Sequence, residues 1–336
     1  MPSRIDDVAR RAGVSLKTVS RVLNREPNVR ETTRARVEAA VRELDYRPHP
    51  SARSLAGRRS YVIALLYDNP SANYLMQIQA GVLEACEANH YTLMLRPLGY
   101  RDPDLLAAVR GFALQYRPDG MILTPPITDH VGLLHLLDSL DMPYASISSG
   151  HEDGHVGVEL DETRAAREIV GHLIALGHRR IAHISGHADH CASGWRLSGY
   201  RQALQAAGLD GGEELIVPGE FSFESGVAAG ARLFDLPDPP SAIFAGNDDM
   251  AAGALHAAYE RGLTVPGDVS VCGFDDTPIA LQVYPSLTTI RQPSREMGRT
   301  AAIQLIDNLA GHGAGARVRV EHQLMLRSST GPAPAR

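Results

Sequence analysis

Lysine and cysteine are both scarce in this sequence of 336 residues. Lys17 is its only lysine, and all its other basic residues are arginines. The three cysteines, Cys86, Cys191 and Cys272, are far apart and odd in number, which argues against a disulfide framework and for reduced thiols. No run of about eighteen apolar residues occurs, and the polar residues 1–12 lack the apolar core of a signal peptide. We therefore expect a cytoplasmic protein with no membrane segment.

Sequence motifs of enzymes are also missing. The chain has no nucleophile elbow, no phosphate-binding loop and no dinucleotide-binding fingerprint, so we expect neither an enzyme nor a bound cofactor. His183, His187, His190 and Cys191 are close together, but their spacing matches no common zinc pattern, and we expect no metal there. The alternatives are surface histidines, or a loop at the mouth of a ligand cleft in which His187 or His190 contacts the ligand.

Charge is distributed unevenly along the chain. Residues 1–60 contain 14 basic and 7 acidic side chains, whereas residues 61–336 contain 19 and 32. A basic segment attracts phosphates and an acidic body does not. The imbalance favours nucleic acid as a partner of the N-terminal segment, although charged runs are more often solvated surfaces.

The N-terminal segment has the pattern of a helix–turn–helix. Apolar residues recur at helical spacing in residues 5–12, and Gly13 then ends the helix. Ser15 can cap a second helix over residues 16–24, whose outward face is polar. A third helix is expected over residues 31–44. Two short helices around such a corner form the motif that places its second helix in the major groove of DNA.

From Tyr61 onward, short apolar runs alternate with amphipathic helical runs in two successive series. This alternation predicts two lobes, each built on a doubly wound parallel sheet, and ligands bind at the carboxyl ends of strands in such sheets. The expected fold class is therefore an all-α helix–turn–helix headpiece followed by an α/β core of two lobes. We expect a headpiece over 1–46, a linker over 47–59 and a core over 60–336. Within the core, the first lobe would be formed by about 60–160 and 291–322, and the second lobe by about 161–290.

Several stretches resemble the lactose/galactose repressor (LacI/GalR) family. Residues 5–24 match the family almost letter for letter with IDDVARRAGVSLKTVSRVLN. Further matches follow in order: 52–55 (ARSL), 247–253 (NDDMAAG), 271–276 (VCGFDD) and 285–290 (PSLTTI). The resemblance implies a homodimer that binds a palindromic double-stranded DNA operator. Each subunit would carry a headpiece, a hinge helix and a core like that of periplasmic sugar-binding proteins, with a small effector between the lobes that changes operator affinity.

The resemblance also implies which headpiece residues contact DNA. Leu16, Lys17 and Arg21 occupy the positions that contact bases: Lys17 or Arg21 can donate to guanine, and Leu16 can contact a thymine methyl group. The candidates for phosphate contacts are Ser15, Thr18, Ser20 and Asn24. A structural alternative exists for two of them, in which Ser15 only caps its helix and Thr18 only packs.

The linker carries three further candidates. Leu55 matches the leucine that the family inserts into the minor groove to open a central base step, and Arg53 belongs to the same match. The alternative for Leu55 is docking on the core. His49, followed by Pro50, stands where the family usually has asparagine after an Arg-Pro pair, and it can cap the hinge or contact phosphate.

The candidate effector residues lie in loops that follow predicted strands. Asn69, Asn73 and Tyr74 follow the first strand: the amides offer donors and acceptors to hydroxyl groups, and the tyrosine can stack on a sugar face. The resemblance implies that Arg196 clamps ligand oxygens. Three further strand ends carry Phe221, Asn247 and Asp275. Because this combination suits a polyhydroxyl ligand, we expect a small sugar effector and a repressor of carbohydrate uptake or catabolism genes.

Several alternatives stay open. Asn247 can cap the helix that follows it, and Asp275 can belong to a structural turn. A purine or nucleoside effector is the main alternative to a sugar, and it is disfavoured because aromatic residues make up only 5% of the chain. A solute-binding protein is a remote alternative that the headpiece argues against. The C-terminal tail lacks leucine heptads, so a tetramerising coiled coil is not expected.

Overall fold

The chain divides into two units, Met1–Tyr61 and Val62–Arg336. The computed structural model describes residues 3–23, 28–46, 59–150, 155–312 and 317–335. The DNA-contact candidates Asn24, His49, Arg53 and Leu55 lie outside the described residues. No helix within the described ranges combines the length and the apolar character that crossing a membrane requires.

The first unit contains the helices α1 (Ile5–Ala12), α2 (Leu16–Leu23) and α3 (Glu31–Glu43). Helix α1 ends at Gly13, whose φ of 60° lies in the left-handed region that favours glycine. Arg36 of α3 donates to the carbonyl oxygens of Ala12 and Gly13, which fixes this corner against the third helix. Val8, Val19 and Val37, one from each helix, are fully buried in the small core of this unit. The predicted helix–turn–helix is confirmed.

The first lobe of the second unit is a six-stranded sheet with helices on both faces. Its strands are β1 (Val62–Tyr67), β2 (Thr92–Pro97), β3 (Gly120–Leu123), β4 (Tyr144–Ile147), β5 (Val156–Leu160) and β11 (Arg317–Val320). They pair in the order β11-β5-β4-β3-β1-β2, and every pair is parallel. Its helices are α4 (Ala72–Ala88), α5 (Leu105–Tyr116), α6 (Val131–Ser139) and α12 (Ser294–Leu309).

The second lobe repeats this plan with one antiparallel edge. Its strands are β6 (Ile181–Ser185), β7 (Ile216–Pro218), β8 (Ala242–Ala245), β9 (Ser270–Asp275), β10 (Thr288–Arg291) and β12 (Gln323–Met325). Their order is β12-β10-β9-β8-β6-β7, with β12 antiparallel to β10. Its helices are α7 (Glu162–Ala175), α8 (Cys191–Ala206), α9 (Phe223–Phe234), α10 (Asp248–Glu260) and the short α11 (Ile279–Gln282).

The predicted fold class is confirmed, and the structure adds strands that the sequence pattern does not indicate. These are β5, β10 and β12, which have five, four and three residues. Each of them contains polar side chains and lacks the continuous apolar run of an equally short strand such as β8. The chain passes between the lobes after β5, after β10 and after β11, so the two lobes are joined by three connections within the described residues.

Candidate functional site

A cleft between the two lobes is lined by residues that follow the carboxyl ends of strands in both sheets. Its cavity volume is about 30 Å³, and the cleft is partly open to solvent. Loops at this edge of a parallel sheet carry side chains that are free to bind ligands. The lining residues are Asn69, Ser71, Tyr74, Pro125 and Ser148 from the first lobe, and Glu162, His190, Ala192, Arg196, Phe221, Asn247, Asp275 and Gln292 from the second lobe and its connections.

Arg196 of α8 is the central cation of the cleft, and it is almost fully buried. Its Nε donates to Oε2 of Glu162 at 2.8 Å, and its Nη1 donates to the carbonyl oxygen of Gly246 at 2.5 Å. Its Nη2 lies 3.6 Å from Oδ1 of Asp275, and its guanidinium carbon lies 3.7 Å from the ring centre of Phe274. Burial lowers the pKa of Arg196, but the two carboxylates more than offset this, so the guanidinium stays charged.

Asp275, at the end of β9, is an acid that titrates near neutral pH. Burial raises the pKa of its carboxyl group to about 7, against the opposing effect of Arg196. Nε2 of Gln292 donates to its Oδ1 at 2.6 Å. Its φ of 107° is unusual for a residue with a side chain and indicates that the surrounding structure holds it in place.

Asn247 both lines the cleft and caps a helix. Its Oδ1 accepts from the backbone N–H of Met250 at 2.9 Å, which caps α10, and its Nδ2 donates to the carbonyl oxygen of Phe221 at 3.0 Å. The neighbouring Asp248 is fully buried and accepts hydrogen bonds from Thr277 and Thr289. It therefore fixes the loop after β9 against strand β10 and does not line the cleft.

Aromatic side chains border the cleft from both lobes. Tyr74 comes from the first turn of α4, and burial raises the pKa of its phenol, which therefore stays protonated. Phe221 follows β7, and its ring centre lies 5.0 Å from that of His190. Burial, followed by the charges of His187 and Arg196, lowers the pKa of His190 to about 3, so its imidazole is neutral.

Two buried polar atoms of the cleft have no hydrogen-bond partner within the described part of the chain. They are Oγ of Ser148, which follows β4, and Oε1 of Gln292, which follows β10. Leaving a buried polar atom unpaired is unfavourable, and nearly all such atoms in proteins find a partner in the protein, in water or in a ligand. Both atoms are therefore available to hydroxyl groups of a bound molecule.

The structure brings six of the seven predicted effector residues together around this cleft: Asn69, Tyr74, Arg196, Phe221, Asn247 and Asp275. Asn73 does not line it; its Nδ2 donates to Oδ1 of Asp249 in the opposite lobe, at 3.1 Å. Glu162 and Gln292 were not predicted, because they follow β5 and β10, which the sequence pattern does not reveal. Ser71, Pro125 and Ser148 were also missed, although their positions soon after strands are a signal that could have found them. Ala192 was missed as well, and it lies in the first turn of α8.

The four residues of the histidine-rich stretch point to different places. His183 is buried between the rings of Tyr200 and Phe244, and its Nδ1 is hydrogen-bonded to the carbonyl oxygen of Phe244. His190 lines the cleft, and His187 lies nearer the surface, with its Nε2 3.3 Å from Oε2 of Glu220. Among the described residues, no group of three potential ligands could hold a metal ion.

Among the residues that the structure describes, three polar bridges connect the lobes at the rim of the cleft. Oδ2 of Asp249 accepts from the hydroxyl of Ser71 at 2.6 Å, next to the bond from Asn73. Nε of Arg101 donates to Oδ2 of Asp189 at 2.5 Å. The backbone N–H of Cys191 donates to Oδ2 of Asp129 at 3.4 Å. The structure is therefore a closed arrangement of the two lobes.

Helix α2 of the headpiece has a polar exposed face and an apolar buried one. Ser15, Leu16, Lys17 and Arg21 are exposed, Thr18 and Ser20 are half-buried, and Val19 and Val22 are buried. Oγ of Ser15 accepts from the backbone N–H of Thr18 at 3.2 Å, so this serine does cap the helix. The cap does not use the exposed base-contact candidates Leu16, Lys17 and Arg21.

Known proteins match this chain along nearly its whole length. Residues 4–49 match the family of bacterial regulatory proteins, lacI family, and residues 170–330 match the periplasmic binding protein-like domain. The chain is 36% identical over 335 residues to the HTH-type transcriptional repressor PurR of Proteus mirabilis (strain HI4320), which covers 98% of this chain and 97% of that protein.

Solved structures show the same architecture. The complex of the transcriptional regulator CelR with cellobiose has a TM-score of 0.75 and 34% sequence identity, covering 97% of this chain and 99% of that one. The Lac repressor dimer bound to operator and the anti-inducer ONPF has a TM-score of 0.80 and 29% identity, covering 98% of this chain and 100% of that one. The similarity includes both the headpiece and the core.

Proposed function

Since the chain belongs to the lacI family of bacterial regulatory proteins, and is a DNA-binding transcriptional repressor rather than an enzyme, we propose that a small neutral sugar bound in the cleft controls its affinity for operator DNA. The regulated genes would serve carbohydrate uptake or catabolism, and the protein would act in the cytoplasm, where the bacterial chromosome lies. The Lac repressor binds operator DNA as a dimer, and this chain would do the same. The observation that carries the proposal is the buried polar set around Arg196.

The charges of this set favour a neutral ligand. Glu162 and, above pH 7, Asp275 place two carboxylates beside the single guanidinium of Arg196. A phosphate or carboxylate ligand would meet these acids in a buried site, where like charges repel strongly. Hydroxyl groups can instead donate to the carboxylates and accept from the guanidinium hydrogens that remain free, which is the pattern of a polyol.

The remaining lining side chains complete a site for a sugar ring. Oγ of Ser148 and Oε1 of Gln292 lack partners in the part of the chain that the structure describes, so each can bind a ligand hydroxyl. Tyr74 and Phe221 lie on opposite lobes and can pack against the C–H faces of the ring. Several hydrogen-bonding groups together with a few aromatic surfaces suit the hydroxyl groups and the C–H faces of a sugar ring.

A thermal-shift screen of the full-length protein tests this proposal. The panel contains neutral mono- and disaccharides, sugar phosphates, purine bases and nucleosides. A sugar at about one hundred times its Kd should stabilise the folded protein by about 2.7 kcal/mol, which raises Tm measurably. Stabilisation by nucleobases or nucleosides with no response to any sugar would refute the sugar effector.

A purine or nucleoside is the second candidate, and the aromatic border of the cleft favours it. Phe221, Tyr74 and the neutral imidazole of His190 can stack on a base, and Asn247 and Gln292 carry amides that can pair with its edge. The amide of Asn247, however, is already engaged by Met250 and Phe221. The same screen separates the two candidates.

The pKa of about 7 at Asp275 gives sugar binding a pH dependence. Hydroxyl donors stabilise the ionised carboxylate, so the ligand binds the deprotonated site more tightly, and below pH 7 binding must first remove a proton. We expect about a tenfold loss of sugar affinity from pH 8 to pH 6, measured by isothermal titration calorimetry. The charged and titratable groups around this carboxyl are Arg196, Glu162, Asp248, Asp249 and Tyr74.

Asp275→Asn is the control for this pH dependence. The variant should bind sugar more weakly than the wild type and equally at pH 6 and pH 8, because the amide does not titrate. His190 cannot produce the effect, since its pKa of about 3 lies below the window. A wild-type affinity that does not change between pH 6 and pH 8 would contradict this role of Asp275.

At the other end of the chain, we propose that α2 contacts a palindromic operator through Leu16, Lys17 and Arg21, with Ser15, Thr18 and Ser20 near phosphates. The exposed face of α2 supports this assignment, because its buried side holds Val19 and Val22. Lys17→Ala should weaken binding to the preferred site by about 1–3 kcal/mol and relax base preference at one position.

The preferred site is obtained by selection from random duplexes, and affinities are compared by fluorescence anisotropy. Lys17→Arg keeps the positive charge and serves as the matched control. This variant should retain the wild-type affinity for duplexes of unselected sequence. If Lys17→Ala weakens selected and scrambled duplexes equally, then Lys17 contacts phosphate and not a base.

A further inference from the structure

The cleft around Arg196, here called the inner compartment, opens beside a second space at its mouth. This outer compartment has a cavity volume of about 500 Å³ and is open to solvent. Tyr100 and Arg101 of the first lobe form one side of it, and His187, Asp189 and Glu220 of the second lobe form the other.

We infer that the effector consists of two linked sugar rings, one held in the inner compartment and the other in the outer compartment. The inference rests on the proposed function, since it assigns the inner compartment to a sugar. It adds the size and class of the ligand: a disaccharide or a larger glycoside rather than a monosaccharide.

The two compartments are contiguous. Asn69 and His190 line both of them. Pro125 borders the inner compartment, and the next residue, Pro126, borders the outer one. Likewise, Phe221 borders the inner compartment and its neighbour Glu220 borders the outer one. A ligand that leaves the inner compartment between Asn69 and His190 therefore enters the outer compartment directly.

The junction has polar groups suited to the link between two rings. Oδ1 of Asn69 accepts from the backbone N–H of Ser71 at 2.9 Å, and its Nδ2 is only 3.5 Å from the carbonyl oxygen of Pro125, which leaves donor capacity. The imidazole of His190 has no hydrogen-bond partner within the described ranges, and a neutral imidazole offers one donor and one acceptor. Glycosidic and hydroxyl oxygens need such groups.

The outer compartment has the composition of a second sugar site. Tyr100 is half-buried, with its ring held edge-on against His130 at 5.3 Å between centres, so it can support the face of a ring. Arg101 and Asp189 form an ion pair, and His187 and Glu220 form a second polar pair. These groups can exchange hydrogen bonds with ring hydroxyls, whereas an apolar substituent would have to desolvate them.

Because both lobes contribute to the outer compartment, a second ring would contact the first and second lobes together. It would add to the contacts that hold the lobes closed, next to the bridge between Arg101 and Asp189. A ligand stabilises one arrangement of two lobes only through its differential affinity for it. A two-ring effector should therefore both bind and shift the lobes more strongly than a monosaccharide.

The test compares matched ligands on wild type and on variants of the outer compartment by titration calorimetry. Glucose is compared with cellobiose and maltose, which contain only glucose, and both glucose and galactose are compared with lactose, which contains the two. We expect at least one disaccharide to bind about tenfold or more tightly than either of its component monosaccharides. Tyr100→Ala should remove most of this advantage and leave the weaker monosaccharide affinity unchanged.

Two further variants keep the test decisive. Glu220→Ala changes an exposed side chain of the outer compartment, so it avoids the packing that Tyr100 makes, and it should reduce disaccharide affinity alone. Tyr116→Ala removes another half-exposed tyrosine of the same lobe, one that does not line either compartment, and should change neither affinity.

The possible outcomes separate the two proposals. If monosaccharides bind as tightly as every disaccharide, or if Tyr100→Ala and Glu220→Ala leave the disaccharide advantage intact, the two-ring effector is wrong and the sugar effector stands. If no sugar binds while a nucleobase or nucleoside does, the proposed function itself is wrong, and the two-ring inference is overturned with it.

Discussion

Arg196→Met should abolish the response to effector while operator binding in the absence of effector persists. The guanidinium lies between Glu162 and Asp275 and donates to the carbonyl oxygen of Gly246. Apart from the neutral imidazole of His190, no other basic side chain lines the cleft among the described residues. Removing one partner of a buried ion pair costs about 3–5 kcal/mol because the other charge is left uncompensated. The ligand loses its guanidinium donors as well, and we expect its affinity to fall more than a hundredfold.

The measurement combines effector titration with operator binding by anisotropy, with and without effector. Arg201→Met is the matched control: Arg201 lies in the same helix, pairs with Glu213 at 2.9 Å and is about half exposed. An exposed pair of this kind contributes little to stability, so this variant should respond like the wild type. A normal effector response in Arg196→Met would remove Arg196 from the site.

A second substitution distinguishes loss of binding from loss of stability. Arg196 lowers the pKa of Asp275, so without the guanidinium this carboxyl should take up a proton and limit the damage. Adding Asp275→Asn to Arg196→Met removes the unpaired acid altogether and should recover part of the lost stability. It should not recover the effector response, because the donors of the guanidinium are still missing.

The architecture of this chain could be predicted because its long elements have strong periodic patterns. Helices such as α7 and α12 and strands such as β1 and β9 bury a regular set of apolar residues, which local sequence reveals. The short strands β5 and β10 carry no such signal, and they are defined by pairing with distant strands. Glu162 and Gln292, which follow them, were missed for that reason.

The directions in which side chains point were the second feature that the sequence could not predict. Asn73 follows the first strand as closely as Asn69 and Tyr74 do, yet the first turn of α4 directs its amide to Asp249 and away from the cleft. His183 belongs to the same histidine-rich stretch as His190, but it lies within β6 and its ring is buried between Tyr200 and Phe244. The partners that decide these directions are distant in sequence, so no local pattern contains them.

The second large effect is expected from the bridge between Asn73 and Asp249. Asp249→Ala should favour separation of the lobes and weaken effector binding about ten- to a hundredfold, although Asp249 does not line the effector cleft. Its carboxylate lies in the first turn of α10 and accepts hydrogen bonds from Ser71 at 2.6 Å and Asn73 at 3.1 Å, both at the start of α4 in the opposite lobe. A hydrogen bond to a charged group contributes about 1.5–3 kcal/mol. Without these bonds, the effector must close the lobes at the expense of its own binding energy.

Calorimetry gives the affinity, and small-angle X-ray scattering of the effector-free protein gives the separation of the lobes. Glu224→Ala is the control, because Glu224 is also an acid in the first turn of a second-lobe helix but is exposed and makes no bridge to the first lobe in the described structure. It should reproduce only the small loss of about 0.3–1 kcal/mol that an acid at a helix N-terminus contributes.

A double-mutant cycle between Asn73→Ala and Asp249→Ala isolates the bridge itself. Ser71 is left unchanged because its hydroxyl also caps α4 by accepting from the backbone N–H of Tyr74. Asn73→Ala should produce part of the effect of Asp249→Ala, and the double variant should be no worse than Asp249→Ala alone, because residues in direct contact are not additive. Strictly additive losses would mean that the two side chains act separately and not through their mutual hydrogen bond.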